Sequence, residues 1–462
     1  MLFSSIPFLY YFLPIVVIVY YCVPFKFKNL VLLLSSLIFY GWGEPKYLIL
    51  MVFTIIIFYF CGILIEKAKT PIWNKIWLII SIVMSLSILA VFKYADFAID
   101  SINKITGIGV PLLKLALPVG ISFYTFQCLS YTIDVYRGNV DAQKNLIDFA
   151  TYVCLFPQLI AGPIIRYIDI SKELKNRKHS FRQFYDGMLR FLIGLGKKII
   201  IANQLGELVS ICRASNEPSI LLYWIYAIAF MLHIYFDFSG YSDMAIGLGK
   251  IFGFNFIENF NYPYMSKSVT EFWRRWHMSL GSWFKDYVYI PLGGNRVSKI
   301  KWILNIFIVW SLTGLWHGAA WNFVAWGIFY AVILLLEKIF LKDKMPKIIQ
   351  NPYTLFIVMI GFVLFNATNM KEAFEYSIGL FSFGKIPLSN DFINYYVNSY
   401  LVIINAAVIG ATNYPKQLAR KIKYKMKNQF AWLESLFMLV LLLVCTAYLI
   451  DGSFNPFLYF RF

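Results

Sequence analysis

The stretch that decides the fold is Ser311-Leu-Thr-Gly-Leu-Trp-His317-Gly-Ala-Ala-Trp-Asn322, which places a histidine inside a long apolar run. That run covers residues 302–336 and contains no Asp, Glu, Lys or Arg. About 20 apolar residues are enough for a helix to cross the hydrocarbon core of a bilayer, so the run is too long for one simple span. The sequence predicts that the chain breaks inside the membrane. The small residues that mark the break are Gly314, Gly318, Ala319 and Ala320.

His317 lies beside this predicted break. Irregular backbone at membrane depth persists only where protein or a water-filled cavity covers it. Ionisable residues are costly inside a membrane, and each is a candidate functional residue. We therefore expect His317 to line a cavity within the bilayer.

The composition of the whole chain is that of a polytopic membrane protein. Of its 462 residues, 60% are hydrophobic and only 14% are charged, which is far more apolar than a soluble protein of this size. We expect an all-α fold with about 11 to 13 membrane-embedded helices, some of them re-entrant. The main apolar stretches are 7–24, 30–43, 47–65, 75–93, 110–133, 146–165, 220–236, 302–336, 353–369, 394–411 and 431–450, with weaker ones at 187–206 and 240–256.

The same pattern predicts one membrane domain over residues 1–462. We divide it into N-terminal helices (1–100), a core (110–340) and C-terminal helices (350–462). The first apolar stretch has no basic segment before it and no cleavage site of small residues, so we expect a retained span and not a signal peptide. No soluble catalytic domain is expected.

The net charge of +18 reflects basic loops between apolar segments, which is the positive-inside pattern and not a nucleic-acid-binding stripe. Loops such as 26–28 and 172–182 should face the cytoplasm, and both chain termini the outside. Abundant lysine and isoleucine suggest a bacterial source, so we expect the plasma membrane. The six cysteines have no C-x-x-C spacing, and we expect neither a metal site nor disulfides.

The other three histidines occupy different settings. His179 lies in the basic loop 172–182, where we expect it to be solvated. His233 and Asp237 are four residues apart and share a helical face, so the carboxylate is placed to hold the imidazole. This pair is either catalytic or a buried structural contact that fixes helix packing.

Residues 271–284 form the amphipathic pattern that contains His277. At 100° per residue, the apolar side carries Phe272, Trp273, Trp276, Leu280, Trp283 and Phe284, and Arg274, Arg275 and Ser282 lie opposite. The pattern predicts one helix at the membrane surface or a re-entrant lip. His277 lies at the edge of the apolar side, as a packed histidine or a catalytic one.

A sharp turn should follow at Pro291 and Gly293–Gly294. Either the backbone N–H groups of this turn bind phosphate together with Arg296, or the segment is an ordinary turn. Motifs of hydrolases, metalloproteases, P-loop proteins and dehydrogenases are absent from the sequence. Histidine remains as a general base.

Several motifs together resemble the membrane-bound O-acyltransferase family, in its branch of bacterial alginate O-acetylation proteins and their relatives. The resemblance covers nearly the whole chain. The motifs are Phe156-Pro-Gln-Leu-Ile-Ala-Gly-Pro-Ile-Ile-Arg166, Asp237-Phe-Ser-Gly-Tyr-Ser-Asp243, Tyr262–Leu280, Tyr289–Arg296, Leu315–Phe323 and the tail Phe454–Phe462.

The resemblance implies a many-helix fold with funnels on both faces that meet at a histidine, which maps onto His317, with His277 as an upstream polar partner. It implies transfer of acetyl from cytoplasmic acetyl-CoA across the membrane to a separate extracytoplasmic acetyltransferase, commonly of the SGNH type, that works with polysaccharide-synthase machinery. No tightly bound cofactor and no metal are expected. D-alanyl transfer to a cell-wall polymer is the second expectation.

Physical chemistry supports a base in an apolar site. A thioester donor needs a base for the incoming hydroxyl and a site that excludes water, and burial keeps an imidazole neutral. A non-enzymatic transporter or scaffold is the competing class, but the two halves of the sequence do not match as they do in many transporters. Further candidates for donor or substrate binding are Arg274, Arg275, Trp276, Arg296, Trp316, Asn322, His233 and Asp237.

Overall fold

The computed structural model describes residues 1–160, 162–341, 344–426 and 429–452, and no β-strand is assigned in these ranges. Seven helices of this part of the chain are long and apolar enough to cross a membrane. They are Leu48–Lys67, Pro71–Thr106, Ile220–Ile251, Trp321–Leu341, Lys347–Asn366, Asp391–Gly410 and Gln429–Ile450. Two shorter apolar helices are Phe8–Cys22 and Leu146–Leu159. The predicted all-α, polytopic fold is confirmed.

The chain divides into two compact units. Unit 1 comprises residues 1–191 and 242–257, and unit 2 comprises residues 192–241 and 258–462. The helices of unit 1 are α1 (Leu13–Cys22), α2 (Phe25–Gly43), α3 (Leu48–Lys67), α4 (Pro71–Leu89), α5 (Ala95–Thr106), α6 (Ile121–Tyr136), α7 (Leu146–Cys154), α8 (Phe156–Leu159) and α9 (Tyr167–Lys175). The single membrane domain drawn from the sequence stays a prediction.

Two helices run from one unit into the other along the chain, α10 (Phe181–Gly196) and, after α11 (Asn203–Ala214), α12 (Ile220–Ile251). Unit 2 continues with α13 (Val269–Arg275), α14 (Met278–Phe284), α15 (Lys299–His317), α16 (Trp321–Leu336), α17 (Lys347–Asn366), α18 (Met370–Gly379), α19 (Asp391–Gly410), α20 (Tyr414–Met426) and α21 (Gln429–Ile450). Short π-helical turns lie at Phe8–Phe12, Ala90–Tyr94, Lys197–Ala202, Lys285–Tyr289 and Glu337–Leu341, and a 3-10 turn at Pro263–Met265.

Small residues let the helices of unit 1 approach closely. A Cβ atom on Gly62 of α3 would lie 2.4 Å from the hydroxyl oxygen of Tyr131 on α6. Ser81 of α4 donates to the hydroxyl of Thr132 on α6 at 3.0 Å. Small residues and hydroxyl bonds are the usual packing devices in a membrane, where apolar surfaces alone give little drive for association.

Three apolar stretches fold differently from the sequence prediction. The stretch 110–133 is helical only from Ile121, and the residues between Thr106 and Ile121 are not helical. The stretches 220–236 and 240–256 were predicted as separate segments but form the single helix α12. Apolar composition alone does not distinguish a non-helical apolar segment from a helix, which explains the first error. The motif Phe454–Phe462 lies outside the described residues.

Candidate active site at the helix break

The predicted break in the run 302–336 is confirmed. Helix α15 ends at His317 and α16 begins at Trp321. Gly318 (φ −166°, ψ 152°) and Ala320 (φ −154°, ψ 156°) are extended between them. His317 therefore lies at the end of a helix, next to irregular backbone.

Glycines bring α15 and α16 into backbone contact. A Cβ on Gly314 would lie 2.2 Å from the carbonyl oxygen of Phe323. A Cβ on Gly327 would lie 2.3 Å from the carbonyl oxygen of Trp310. Because neither position tolerates a side chain without movement, these two glycines set the distance between the helices that flank His317.

The side chain of His317 is enclosed by aromatic rings. Its ring centroid lies 5.1 Å from Trp316, 5.3 Å from Trp326 and 5.3 Å from Phe365, with each pair close to perpendicular. Only 7% of His317 is exposed. Little of the imidazole is therefore accessible to solvent.

The prediction of one continuous helix over residues 271–284 is wrong. Helix α13 ends at Arg275, and His277 has a left-handed backbone (φ 45°, ψ 51°) immediately before α14. A left-handed conformation is uncommon for a residue with a Cβ and is often found at functional sites. Backbone bonds from Met278 N to Asn259 O (3.0 Å) and from Asn261 N to Arg275 O (2.9 Å) hold the kink in place.

The tryptophans of this segment are also deeper than a surface helix would place them. Trp276 is 4% exposed and packs against the rings of Phe272 and Phe362 at 5.5 and 5.1 Å. Trp273 contacts Trp310 and Tyr330, both at 4.8 Å between centroids. These side chains pack in the core of unit 2, and the binding role predicted for Trp276 stays a prediction.

Asn259 orients the imidazole of His277. Its Oδ1 lies 3.2 Å from His277 Nδ1 and also accepts from the backbone N and the Oγ of Ser279, at 3.2 and 2.9 Å. An amide oxygen only accepts, so this contact assigns the proton to Nδ1 and a lone pair to Nε2. Nε2 is buried and makes no hydrogen bond within the part of the chain that the structure describes. Burial lowers the pKa of His277 to about 3.

The two histidines share one aromatic enclosure. Their ring centroids are 6.4 Å apart, and Trp316 contacts both, at 5.8 Å from His277 and 5.1 Å from His317. The arrangement provides two buried imidazoles, one of them with an available lone pair. Such a pair is suited to proton transfer to and from a hydroxyl group in a site without bulk water.

The predicted contact between Asp237 and His233 is not formed. Asp237 Oδ1 accepts from Lys198 Nζ at 2.5 Å, and both side chains are 2% exposed. The ring nitrogens of His233 do not bond to this carboxylate. The lysine competes successfully because a buried carboxylate is stabilised far more by a cation than by a neutral imidazole. In the structure Asp237 therefore pairs with Lys198, and its assignment as a functional or a structural residue stays a prediction.

The remaining predicted residues divide into buried and exposed groups. Trp316 and Asn322 are buried, and Asn322 donates from Nδ2 to the carbonyl oxygen of Ala367 at 2.8 Å. Arg274 and Arg296 are exposed. Arg275 is paired with Glu271 at 2.6 Å, which leaves it less suited to bind a substrate anion.

The segment after α14 forms the predicted turn. Gly293 (φ 99°) and Gly294 (φ 56°) have left-handed backbones. Asn305 of α15 donates to the carbonyl oxygens of Leu292 (3.2 Å) and Gly294 (3.0 Å). The turn is therefore anchored to the helix that carries His317.

Sequence reasoning missed Asn259, Ser279 and Lys198. Lys198 had a detectable signal, since a lysine in the apolar stretch 187–206 is costly unless it is paired. Asn259 and Ser279 had none, because their contacts depend on the left-handed backbone at His277. Within the described residues, no group of three or more His, Cys, Asp or Glu side chains is placed to hold a metal ion.

The buried histidines at a helix break within an apolar bundle fit a class that comparison with known proteins identifies. The profile described as "MBOAT, membrane-bound O-acyltransferase family" matches residues 37–368. The chain belongs to this family and is a multi-pass membrane O-acyltransferase.

Individual relatives give a finer comparison. The chain is 44% identical to a probable alginate O-acetylase, AlgI, of Pseudomonas aeruginosa, over 84% of this chain and 76% of that protein. It is 30% identical to a peptidoglycan O-acetyltransferase of Helicobacter pylori, over 100% of this chain and 98% of that protein. A teichoic acid D-alanyltransferase of Bacillus subtilis is also 30% identical, but over 54% of this chain and 68% of that protein.

Proposed function

We propose that this protein takes acetyl from cytoplasmic acetyl-CoA and passes it across the bacterial plasma membrane for O-acetylation of a secreted polysaccharide. The observation that carries the proposal is the pair His317 and His277 in one water-excluding aromatic enclosure. The names of the alginate and peptidoglycan relatives support acetyl as the acyl group and a polysaccharide as the final acceptor.

In this mechanism His317 is the catalytic base. It removes the proton from an acceptor hydroxyl while the hydroxyl oxygen attacks the carbonyl carbon of the thioester. A carbon–oxygen bond forms, the carbon–sulfur bond breaks, and the proton moves from His317 to the departing coenzyme A thiolate. The aromatic walls keep water from hydrolysing the acyl group. His277, held by Asn259, accepts a hydrogen bond through Nε2 and orients the hydroxyl.

The donor and acceptor sides follow from charge. Exposed Arg274 and Arg296 attract the phosphates of coenzyme A at the cytoplasmic face. On the opposite face, where we place both chain termini, a separate extracytoplasmic acetyltransferase of the SGNH type receives the acetyl group and works with the polysaccharide synthase.

Oriented proteoliposomes test the proposal. Labelled acetyl-CoA added only to the cytoplasmic face should label an acceptor or partner on the other side, with free coenzyme A released where the donor was added. His317→Ala should reduce transfer by about 10²- to 10⁴-fold, as expected for loss of a general base. Thr313→Val is a matched control one turn earlier on α15, because Thr313 Oγ1 only donates to the carbonyl oxygen of Val309. Half of normal activity in His317→Ala would refute the assignment.

The same vesicles separate the alternatives. D-alanyl transfer, favoured by the similarity to the teichoic acid D-alanyltransferase, would require a D-alanyl carrier protein as donor and leave acetyl-CoA uncleaved. A transporter would move intact acetyl-CoA or glycan across the bilayer without thioester cleavage.

A further inference from the structure

Arg177 occupies an unexpected position in the basic loop 172–182, which the sequence predicts to be solvated. Only 4% of Arg177 is exposed. Its Nε donates to the hydroxyl oxygen of Tyr20 (2.8 Å) and to the carbonyl oxygen of Phe252 (3.0 Å), and its Nη1 donates to Asn29 Oδ1 (2.7 Å). Its Nη2 is buried and makes no hydrogen bond within the described residues. One donor of a buried guanidinium is thus left for a ligand.

A second cation lies over the same tyrosine ring. Lys28 is 8% exposed, and its Nζ is 4.5 Å from the centroid of Tyr20 and 5.0 Å from that of Tyr21. The guanidinium carbon of Arg177 is 5.6 Å from the Tyr20 centroid. Both basic loops were predicted to face the cytoplasm, and unit 1 brings them together.

His179 completes the group. The prediction that it is simply solvated is wrong, because it is partly buried and its Nε2 lies 2.8 Å from the hydroxyl oxygen of Tyr20. Burial, together with the charges of Lys28 and Arg177, lowers the pKa of His179 to about 4. Burial and the charge of Arg177 also lower the pKa of Lys28. The local potential is therefore positive.

Two carboxylates near this group in the sequence or structure accept hydrogen bonds from asparagines. Asp148 Oδ1 accepts from Asn29 Nδ2 at 2.7 Å, and the carboxylate of Glu173 accepts from the backbone and side chain of Asn255 at 3.0 and 2.8 Å. Neither Arg177 nor Lys28 forms a salt bridge within the described part of the chain. The guanidinium carbon of Arg177 also lies 5.4 Å from the ring centroid of Phe25 and 4.5 Å from that of Phe254, and these cation–π contacts offset part of the cost of burial. An anion beside the buried cations would supply the counter-charge that aromatic rings do not.

Gly253 allows the backbone to pack closely against this group. Gly253 has a left-handed backbone (φ 88°), and a Cβ there would lie 3.1 Å from both Arg177 Cδ and His179 Nε2. A larger residue would push against both side chains. The group is therefore a built arrangement and not an accidental approach of surface residues.

We propose that Arg177, Lys28, Tyr20 and His179 form a binding site for a phosphate group in unit 1. The guanidinium supplies a hydrogen bond through Nη2, and the ammonium of Lys28 supplies a second positive charge. The phosphate belongs either to the headgroup of an anionic phospholipid or to a soluble phosphate compound. The residues of this site belong to unit 1, whereas His317 belongs to unit 2.

Two binding measurements on the full-length protein test this site and distinguish the sources. In the first, the purified protein in neutral detergent is titrated calorimetrically with pyrophosphate. In the second, native mass spectrometry counts phosphatidylglycerol and phosphatidylcholine retained from mixed nanodiscs. One of the two probes, pyrophosphate or phosphatidylglycerol, should bind saturably, and that probe identifies the source of the phosphate. Arg177→Gln and Lys28→Gln should each weaken its binding about tenfold, since one charge-assisted interaction is lost.

Lys178→Gln is the matched control. Lys178 is exposed and follows Arg177 in the chain, so this substitution removes one positive charge next to the site without removing a buried group. It should leave binding within about twofold, as a screened surface charge contributes little. Lys28→Gln keeps the test informative if Arg177→Gln fails to fold. Binding of neither probe, or equal loss in Lys178→Gln, would overturn the proposal.

Discussion

Breaking the buried ion pair between Lys198 and Asp237 should destabilise the protein strongly. Both side chains are 2% exposed, and the 2.5 Å contact joins the π-helical turn Lys197–Ala202 to α12. A Cβ on Gly240 would lie 3.2 Å from the backbone N of Lys198, so the two elements are tightly packed there. Removing one partner takes this counter-charge away from the other buried group, and breaking a buried ion pair in this way costs about 3–5 kcal/mol. Lys198→Met should therefore lower the thermal midpoint by several degrees.

Three variants distinguish a structural pair from a catalytic carboxylate. Lys198→Met and Asp237→Leu should each reduce the thermal midpoint in detergent, measured by fluorescence-detected size-exclusion chromatography. The double variant should recover most of the loss, because an apolar pair of similar volume is often neutral or stabilising. It should also recover acetyl transfer per folded molecule.

The decisive result is the behaviour of the double variant. If it is as stable as the wild type but inactive, Asp237 takes part in the chemistry and the structural assignment is wrong. If the single variants are as stable as the wild type, the ion pair does not hold α12 in place.

Three further predictions concern the histidine site. Asn259→Ala removes the acceptor for His277 Nδ1 and should lower the rate of acetyl transfer up to about tenfold, the equivalent of one net hydrogen bond; an unchanged rate would show that this contact does not position the imidazole. Burial lowers the pKa of His277 from 6.5 to about 3, so below about pH 6.5 the unfolded chain binds a proton that the folded protein does not, and stability should fall as the pH drops towards 3. The thermal midpoint of His277→Gln should depend less on pH in this range, and parallel curves would contradict the assignment. Gly314→Ala places a Cβ 2.2 Å from the carbonyl oxygen of Phe323 and should destabilise the protein by about 1–3 kcal/mol, with a midpoint equal to that of the wild type as the contrary result.

The position of His317 could be located from the sequence, because a polar residue in a long apolar run is energetically costly and therefore easy to recognise. A histidine in an uncharged run longer than a membrane span needs both a break and a covered cavity wall, and the break lies where the small residues predicted it. The position of His277 beside it was reached only through the resemblance to known acyltransferases, since an amphipathic pattern alone left a packed histidine equally possible.

The errors at His233 and at His277 share one physical cause. Helical periodicity describes a residue's neighbours along the helix, so it paired His233 with Asp237 and drew one helix through His277. Contacts from distant segments decided otherwise: Lys198 pairs with Asp237, and Asn259 holds the kink at His277. Tertiary interactions of this strength override local preference.

The sequence by itself determined that the chain is an all-α membrane protein, where its longest apolar run breaks, and which histidine lies at that break. Each follows from the cost of placing charge or irregular backbone in hydrocarbon. Only the tertiary structure decided which partners the buried polar groups have. It placed a proton on Nδ1 of His277 and left the buried Nη2 of Arg177 without a hydrogen bond within the described residues. Those choices depend on ångström-scale distances between segments far apart in the chain, and no local pattern encodes such distances.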